Sequence, residues 1–348
     1  MTLSFTAALC ADAEIESFLA PQAELSAMLA FETALAGAQA EAGLIPAEAA
    51  AAIAQGCAAF QPNEAALTAG LFKDGVLGPS FVKALRQSLP EAARPHLHFG
   101  ATSQDITDTA LTLRLKPLLA ALDTRLAALI EALEALEHEQ GGMRLMAQTR
   151  MQAALPITVK DKIEAWLLPL RRHRARLAAL APRLLVIQLG GPVGSRAELG
   201  EAAEAVAAGL AARLGLGNAP CWQNARDNIV EFGATLALIA GALGKIGQDA
   251  AILAQTENGA LKIAGGGSSS AMAHKANPVT AELLVALARY TAGLAGTLNQ
   301  ALVHENERSG AAWTLEWFTL PPLAVATGAA LREAMGLVPR MRFQPPTL

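Results

Sequence analysis

The sequence predicts an all-α protein built on a bundle of long helices, and three observations support that prediction. Hydrophobic residues make up 53% of the 348 residues, and much of this fraction is Ala and Leu, the two best helix formers. Leucines recur at steps of three and four residues from Leu111 to Leu136, which is the spacing of one long helix with a coiled-coil-like stripe. No segment shows the period of two that strands need, so we expect no strands.

The N-terminal quarter of the chain predicts several shorter helices. Apolar residues at helical spacing indicate one or two helices over residues 22–60, which Gly43 and Pro46 interrupt. Residues 61–95 hold several Pro and Gly residues and predict short helices joined by loops.

The middle of the chain predicts one unusually long helix. It covers residues 104–139 and would be about 50 Å long at about 1.5 Å per residue, with a kink expected at Pro117. Further predicted helices are separated by Gly-rich stretches and cover residues 157–181, 196–214, 226–258 and 279–303, with one more after Pro321 that ends near Leu337.

The predicted elements fall into three parts along the chain. A smaller helical N-terminal domain covers residues 1–97, and a central long-helix bundle domain covers residues 98–337. The remaining residues, 338–348, include "RFQPPTL" and are expected to form a short tail.

Charge and cysteine usage exclude several classes of protein. The chain has 27 basic and 31 acidic residues and a formal net charge of −4, which provides no general attraction for nucleic acid. Cys10, Cys57 and Cys221 are scattered and form no CxxC pair. They are interpreted as small buried hydrophobic residues of a protein in a reducing cytoplasm.

The apolar excess needs an explanation, because a mean hydropathy of +0.32 is high for a soluble monomer. Charges or glycines interrupt the most apolar windows, such as residues 231–247, before about 18 apolar residues accumulate. The N-terminus has no basic region and meets acidic residues early, unlike a signal peptide. We therefore expect no membrane segment, and instead a homo-oligomer that buries apolar helix faces between subunits.

The stretch "HFGATSQDITDTAL" (residues 98–111) marks the start of the long helix. Thr102 or Ser103 is placed to be the N-cap, and Thr102 with Asp105 fits a capping box. The pattern predicts either a well-capped helix alone or an anion site, since free N–H groups and hydroxyls at a helix N-terminus suit a carboxylate. His98 belongs to an HxH pair, but no further ligand follows at a suitable spacing, so we expect no metal.

The stretch "GGGSSSAMAHKANP" (residues 265–278) interrupts the helical pattern with a Gly/Ser run. Consecutive glycines allow mobility and close backbone approach. Such a run is either a flexible linker or a lid over an anionic substrate, with Lys275 and Asn277 at its root. Its direct entry into a helix after those two residues favours the lid.

Two further polar stretches interrupt apolar surroundings. Residues 304–317 are either a solvated helix end or a binding segment in which Arg308 makes a bidentate contact with a carboxylate. The other stretch, residues 148–156, is either a polar helix start or loop, or a binding segment that uses Thr149, Arg150 and Gln152. The four stretches share features suited to anion capture, and we find no nucleotide-binding loop, GxSxG nucleophile or HExxH motif in the sequence.

Taken together and in this order, the four stretches resemble the fumarase/aspartase superfamily. "SSSAMAHKANP" is similar to the signature G-S-S-x-M-P-x-K-x-N-P, and "HFGATSQDITDTAL" is similar to the block H-x-G-A-T-S-Q-D-x-x-D-T-A. Gln104 in that block and the segment 306–321 resemble the 3-carboxy-cis,cis-muconate cycloisomerase branch. The resemblance covers residues 20–325.

The resemblance implies a fumarase/aspartase-like bundle that assembles as a homotetramer, with each active site shared between three chains. It implies cofactor-free lactonisation of 3-carboxy-cis,cis-muconate, a small tricarboxylate, in protocatechuate degradation. A loop serine of the family, here Ser269, donates and accepts the proton, and Lys275 stabilises the charged species. The implied substrate-binding residues are His98, Thr102, Ser103, Gln104, Thr149, Arg150, Gln152, Asn277 and Arg308.

Four departures from the family pattern are visible. Ser268 replaces the motif Gly and Ala273 the motif Pro, so the loop is expected to differ in stiffness. Arg150 replaces the histidine of T-H-x-Q, which favours the cycloisomerase branch over the lyases. The H-E-R triplet is N-E-R at residues 306–308, and the family's usual C-terminal helical domain is expected to be absent.

Two other functions stay open on the sequence alone. An adenylosuccinate- or argininosuccinate-type lyase would act on a succinyl substrate, and the replaced histidine argues against it. A catalytically silent helical scaffold is the other alternative, and the four departures favour it. Turnover of a carboxylated diene would separate the scaffold from the cycloisomerase.

Overall fold

The computed structural model describes residues 4–267, 272 and 275–345, and helices dominate them. The α-helices of this part of the chain are α1 (Ala13–Leu19), α2 (Pro21–Glu41), α3 (Ala47–Ala59), α4 (Glu64–Asp74), α5 (Gly78–Ser88), α6 (Ser103–Gln140), α7 (Val159–Leu184), α8 (Ala203–Leu214), α9 (Asp227–Leu253), α10 (Val279–Asn299) and α11 (Gly310–Leu337). Short 3-10 turns lie at Phe5–Cys10, Glu91–His96, Ala197–Ala202, Gln300–Leu302 and Val338–Arg340. The all-α prediction is confirmed.

The long central helix is also confirmed. It is α6, which extends one residue beyond the expected range at each end and continues through Pro117. The leucine stripe faces inward: Leu122, Leu126 and Leu129 are fully buried. Burial of this stripe, rather than helix propensity alone, stabilises a helix of such length.

Two hydrophobic clusters fill the interior, and α6 belongs to both. The larger cluster joins α6 with α7, α9, α10 and α11. The smaller one joins α2, α3, α5 and α8 with the first turns of α6, through Ile106 and Ala110. The start of α6 therefore lies where the two clusters meet. The expected domain division at residues 97 and 98 stays a prediction.

The expectation of no strands is wrong at two places. The strands of the described residues are β1 (Arg144–Thr149), β2 (Gln152–Thr158), β3 (Leu261–Ile263) and β4 (Met341–Phe343). Antiparallel pairs form between β1 and β2 and between β3 and β4. Most side chains of β1 and β2 are exposed, so no buried face produces the alternating pattern that would indicate a strand.

The C-terminal region differs from expectation in two respects. Helix α11 begins well before Pro321 and continues through it, because packing against α9 and α10 outweighs the lost backbone hydrogen bonds. The expected tail begins with the 3-10 turn Val338–Arg340 and continues as β4, whose Phe343 is buried and stacks on Trp166 with ring centroids 6.4 Å apart.

Helix α9 contributes to the high mean hydropathy of the chain, and most of its apolar surface is buried. By length and composition alone it could cross a membrane, but 61% of its most apolar window is buried inside the chain. It packs against α7, α10 and α11. This burial is typical of the core helix of a bundle.

Candidate active site

The N-terminus of α6 is organised by its own capping residues. Thr102 is the N-cap, and its backbone N–H donates to Asp105 Oδ2 at 2.9 Å, so the predicted capping box is confirmed. Ser103 is the first residue of the helix. A helix start of this kind carries unpaired N–H groups and the positive end of the helix dipole, both of which favour an anion.

Asp105 connects this helix start to the glycine-rich loop at residues 189–195. Its carboxylate is fully buried and accepts hydrogen bonds from Gly190 N–H at 2.7 Å, Gly191 N–H at 2.9 Å and Gln188 Nε2 at 3.0 Å. Burial raises the pKa of Asp105 to about 6, against the lowering effect of these hydrogen bonds. Sequence motifs do not identify this loop as part of a site, although its three glycines indicate close backbone approach.

Arg308 lies against the α6 terminus and completes a cluster there. Its Nε donates to Gln104 Oε1 at 3.0 Å, and its Nη2 donates to Thr102 Oγ1 at 3.3 Å and to the Pro192 carbonyl at 3.2 Å. Within the described part of the chain its Nη1 has no hydrogen-bond acceptor, so this side of the guanidinium can bind a carboxylate. Ser103 and Arg308 line a cleft of about 620 Å³ whose other walls are the end of α4 and the first turns of α11.

A buried group of charges lies next to this cluster. Arg226, at the start of α9, bridges two carboxylates: its Nη1 is 2.6 Å from Asp108 Oδ2 and its Nη2 is 2.5 Å from Glu316 Oε2. All three side chains are at most 2% exposed, and we call them the buried ion triad. Asp108 Oδ2 also accepts a hydrogen bond from Gln104 Nε2 at 3.2 Å. The triad therefore connects directly to the residue that holds Arg308.

The surroundings of Arg226 and Glu316 favour the charged forms of these two side chains. Burial opposes the charge of Arg226, but Asp108 and Glu316 together raise its pKa above the ordinary value. Burial also opposes the charge of Glu316, yet the nearby His304 and Arg226 lower its pKa below the ordinary value. His304 Nε2 lies 3.5 Å from Glu316 Oε1, and the imidazole is fully buried. Sequence motifs do not identify Arg226, although a charged residue at the start of a long apolar helix is an available signal for a buried network.

His98 pairs with a buried carboxylate. Its Nδ1 is 2.5 Å from Glu32 Oε1, and the two side chains are 12% and 1% exposed. Burial would lower the pKa of His98, but the charge and hydrogen bond of Glu32 outweigh burial and raise it. His98 adopts a left-handed backbone with φ of +61°. No group of three or more His, Cys, Asp and Glu side chains able to hold a metal occurs among the described residues.

The segment with Thr149, Arg150 and Gln152 is the tip of the β1–β2 hairpin, not a helix start. Arg150 and Met151 form the two-residue turn, and both have positive φ, +50° and +65°. This is the backbone sign of a type I′ turn, which most often contains Asn-Gly, so the sequence lacked the usual hairpin signal. The side chains at the tip are exposed, and among the described contacts none joins them to Arg308.

The Gly/Ser segment is closed at its root by a short antiparallel bridge. Gly267 N–H donates to the Asn277 carbonyl, and Asn277 N–H donates to the Gly267 carbonyl, both at 2.9 Å. Lys275 is exposed and Asn277 is half-buried. Ser269 lies outside the described residues, so its role stays a prediction.

Apart from His98, which pairs with Glu32, the predicted site residues that the structure describes occupy three separate places on the chain. Thr102, Ser103, Gln104 and Arg308 form a single cluster at the start of α6. The hairpin tip and the root of the Gly/Ser segment are the other two places. Within the described part of the chain, no hydrogen bond or ion pair joins any two of these places.

A bundle of long helices with this order of elements is the fold of one class of protein, the fumarase/aspartase type of lyase. A family model described as lyase matches residues 5–293. The chain belongs to this lyase family, as the resemblance of its motifs predicted.

Known proteins of this class that resemble the chain include cycloisomerases and a lyase. The chain is 41% identical over 334 residues to the 3-carboxy-cis,cis-muconate cycloisomerase of Pseudomonas aeruginosa, covering 94% of this chain and 72% of that protein. The structure of 3-carboxy-cis,cis-muconate lactonizing enzyme from Pseudomonas putida superposes with a TM-score of 0.91 at 38% identity, covering 98% of this chain and 77% of that one. Nitrosuccinate lyase of Streptomyces davaonensis is 36% identical over 339 residues, covering 93% of this chain and 71% of that protein.

The first prediction concerns Glu32 and His98. Because the folded-state pKa of His98 lies above the ordinary value of 6.5, the contact contributes its full stability below about pH 6.5, and that contribution is lost as pH rises through the folded-state pKa. We expect Glu32→Gln to lower the His98 pKa in an NMR titration. The stability difference between the two proteins should then shrink with rising pH. Glu41→Gln, which alters an exposed partner of Arg213, is the control, and an unchanged His98 pKa in Glu32→Gln contradicts the assignment.

The second prediction concerns the buried ion triad. Arg226→Met leaves two buried carboxylates without their partner, and we expect the free energy of unfolding in urea to fall by about 3–5 kcal/mol. Arg183→Met, which breaks an exposed pair with Glu231, should cost less than about 1 kcal/mol. If the free energy of unfolding fell equally in the two variants, the buried ion triad would contribute no more to stability than an exposed ion pair.

Proposed function

We propose that the chain catalyses the cofactor-free lactonisation of 3-carboxy-cis,cis-muconate to a carboxymuconolactone. The observation that carries the proposal is the cluster at the start of α6, where Arg308, the Thr102 hydroxyl and free helix N–H groups offer several donors to one carboxylate. The similarity to cycloisomerases of that printed name supports the same substrate.

The reaction needs one proton transfer and the stabilisation of one developing negative charge. A carboxylate oxygen of the substrate adds to one carbon of a C=C bond and forms the lactone C–O bond. The electron pair of the double bond moves towards the neighbouring carbon, which lies next to another carboxylate and takes up a proton. Between these events the charge spreads over that carboxylate as an enediolate-like species, which fixed hydrogen-bond donors stabilise.

The residues divide between binding and chemistry. Arg308 and Thr149 bind substrate carboxylates, and Lys275 and Asn277, with the α6 start, stabilise the enediolate. Ser269 moves the proton, which requires loop amides and Lys275 to stabilise its alkoxide, because a serine hydroxyl has a very high intrinsic pKa. Gln104 acts by holding Arg308, whose Nε donates to its Oε1.

We further propose that the active sites form only in a homotetramer, with three chains contributing to each site, in the cytoplasm. The exposed hairpin tip and the exposed Lys275 support this assembly, since neither contacts the Arg308 cluster of its own chain in the described contacts. A small carboxylate contacts only a few side chains at once, so residues from three places must converge around it.

A lyase that eliminates a group from a succinate-type substrate is the second candidate. The similarity to nitrosuccinate lyase supports it, because that protein shares most of the length of this chain. Elimination is formally the reverse of the addition proposed above, so the same donors would stabilise the same kind of enediolate. The substrate, not the site's charge pattern, separates the two candidates.

The test is the ultraviolet absorbance of 3-carboxy-cis,cis-muconate after addition of purified protein from which a chelator has removed any metal. Rapid loss of the diene band supports the cycloisomerase. A stable diene band combined with fumarate release from adenylosuccinate or argininosuccinate, or nitrite release from nitrosuccinate, would instead establish a lyase. Inertness towards all these substrates would support a catalytically silent scaffold.

The third prediction tests the proton-transfer role of Ser269. Ser269→Ala removes the hydroxyl, and we expect turnover to fall by at least about 100-fold while the oligomer persists in light scattering. Ser270→Ala, which changes a neighbouring serine of the same segment, should retain most of the activity. Full activity of Ser269→Ala would remove this residue from the mechanism.

The fourth prediction tests whether the sites are shared between chains. Arg308→Met and Lys275→Met should each abolish most activity, because each removes a charge that binds the substrate or its enediolate. Co-expressed in equal amounts, the two variants should recover up to about one quarter of the wild-type rate, since some hybrid sites combine two intact residues from different chains. No recovery in confirmed hybrid oligomers would show that Arg308 and Lys275 act within one chain.

A further inference from the structure

The segment that leads to Lys275 and Asn277 has little stiffness of its own. It leaves β3 through three consecutive glycines, residues 265–267, and glycine loses more conformational freedom on ordering than any other residue. The bridge between Gly267 and Asn277 joins its two ends. An isolated two-stranded pairing is at best marginally stable in water, so another element must hold these ends in place.

Arg340 holds the first end through its backbone. It is the last residue of the 3-10 turn Val338–Arg340 between α11 and β4, and its carbonyl accepts a hydrogen bond from the Ala264 N–H at 3.0 Å. This bond extends the antiparallel pairing of β3 with β4 by one residue, up to the first glycine. The guanidinium lies beside that glycine, since its Nη1 is 3.9 Å from the position that a Cβ on Gly265 would occupy.

Arg340 holds the second end through its side chain. Its Nη2 donates to Thr280 Oγ1 at 2.9 Å, in the first turn of α10, and its Nε donates to the Gly336 carbonyl of α11 at 2.7 Å. Thr280 lies only three residues after Asn277. A Thr280 held against α11 therefore limits the positions open to Asn277 and Lys275.

We propose that Arg340 is a positioning residue that holds both ends of this segment and thereby keeps Lys275 and Asn277 in place. It contacts the strand before the glycines and the helix after Asn277, while its Nε is bound to α11. Hydrogen bonds from a guanidinium are charge-assisted, and Arg340 is half-buried, where such bonds are stronger than in water. The consequence for catalysis rests on the proposed function, in which Lys275 and Asn277 stabilise the enediolate.

Hydrogen exchange tests these contacts without any substrate. In Arg340→Met we expect amide exchange in a peptide that contains Gly267 and Asn277 to become at least about tenfold faster than in the wild-type chain. The reason is that the bridge between these two residues opens more often once neither end is held by the guanidinium. Mass spectrometry of the folded oligomer after timed exposure to deuterated buffer measures the rate.

Two further variants make the comparison specific. Arg342→Met is the matched control and should leave exchange unchanged, because Arg342 is exposed and donates to the nearby carbonyls of Pro339 and Met341. Thr280→Val removes the acceptor of Arg340 at nearly constant volume and should accelerate exchange. Adding Thr280→Val to Arg340→Met should cause no further change, since the contact that it removes is already lost.

Kinetics with 3-carboxy-cis,cis-muconate separate positioning from substrate binding. Arg340→Met should lower kcat and kcat/KM alike, by about 10- to 100-fold, and leave KM nearly unchanged. The reason is that the misplaced groups act in the transition state, and a small displacement of such groups is costly. A merely structural role would instead lower the stability in urea and leave the kcat of the folded enzyme intact.

Several results would overturn the proposal. They are unchanged exchange in Arg340→Met, equal acceleration in Arg342→Met, and faster exchange with an undiminished kcat. If Arg340→Met does not fold, Thr280→Val decides the question, and unchanged exchange in that variant would overturn the proposal. If the wild-type chain leaves the diene intact, the proposed function fails, while the exchange rates still decide whether Arg340 holds the segment.

Discussion

The buried ion triad of Asp108, Arg226 and Glu316 is the constraint on which the candidate site depends. It takes one charge from α6, one from the start of α9 and one from α11, so it sets the positions of these three elements relative to each other. Removing three charges from water is costly, and their mutual attraction compensates only in good geometry. The triad therefore contributes less as a source of net stability than as a condition that disfavours other packings of the same helices.

The triad also determines how Arg308 is presented to the cleft. Gln104 Nε2 donates to Asp108 Oδ2 and to the Gln223 carbonyl, which leaves its Oε1 to accept from Arg308. A flipped amide would place donors against Arg308 and an acceptor against a carboxylate, so the hydrogen-bond network permits one orientation of Gln104. Donors that are held in place before the substrate arrives need no reorganisation during the reaction. This preorganisation is the main source of electrostatic catalysis.

Predictability from sequence differed between parts of the molecule. The leucine stripe was sufficient for α6, because a fully buried helix face requires apolar residues at every third or fourth position. The capping box was also predictable, because Thr102 and Asp105 interact within one turn. The β1–β2 hairpin was missed, since its side chains are exposed and Arg150 and Met151 are unusual residues for a turn with positive φ.

The sequence by itself determined the helical class, the long central helix, the family and the identities of the polar segments. These properties depend on local spacing and on motifs that are contiguous in the chain. Only the tertiary structure decided that Arg308 joins Thr102 and Gln104, that Arg226 holds two buried carboxylates, and that the hairpin tip lies apart from them. Such pairings connect residues separated by up to about two hundred positions, and they depend on how whole helices pack, which no local pattern of residues encodes.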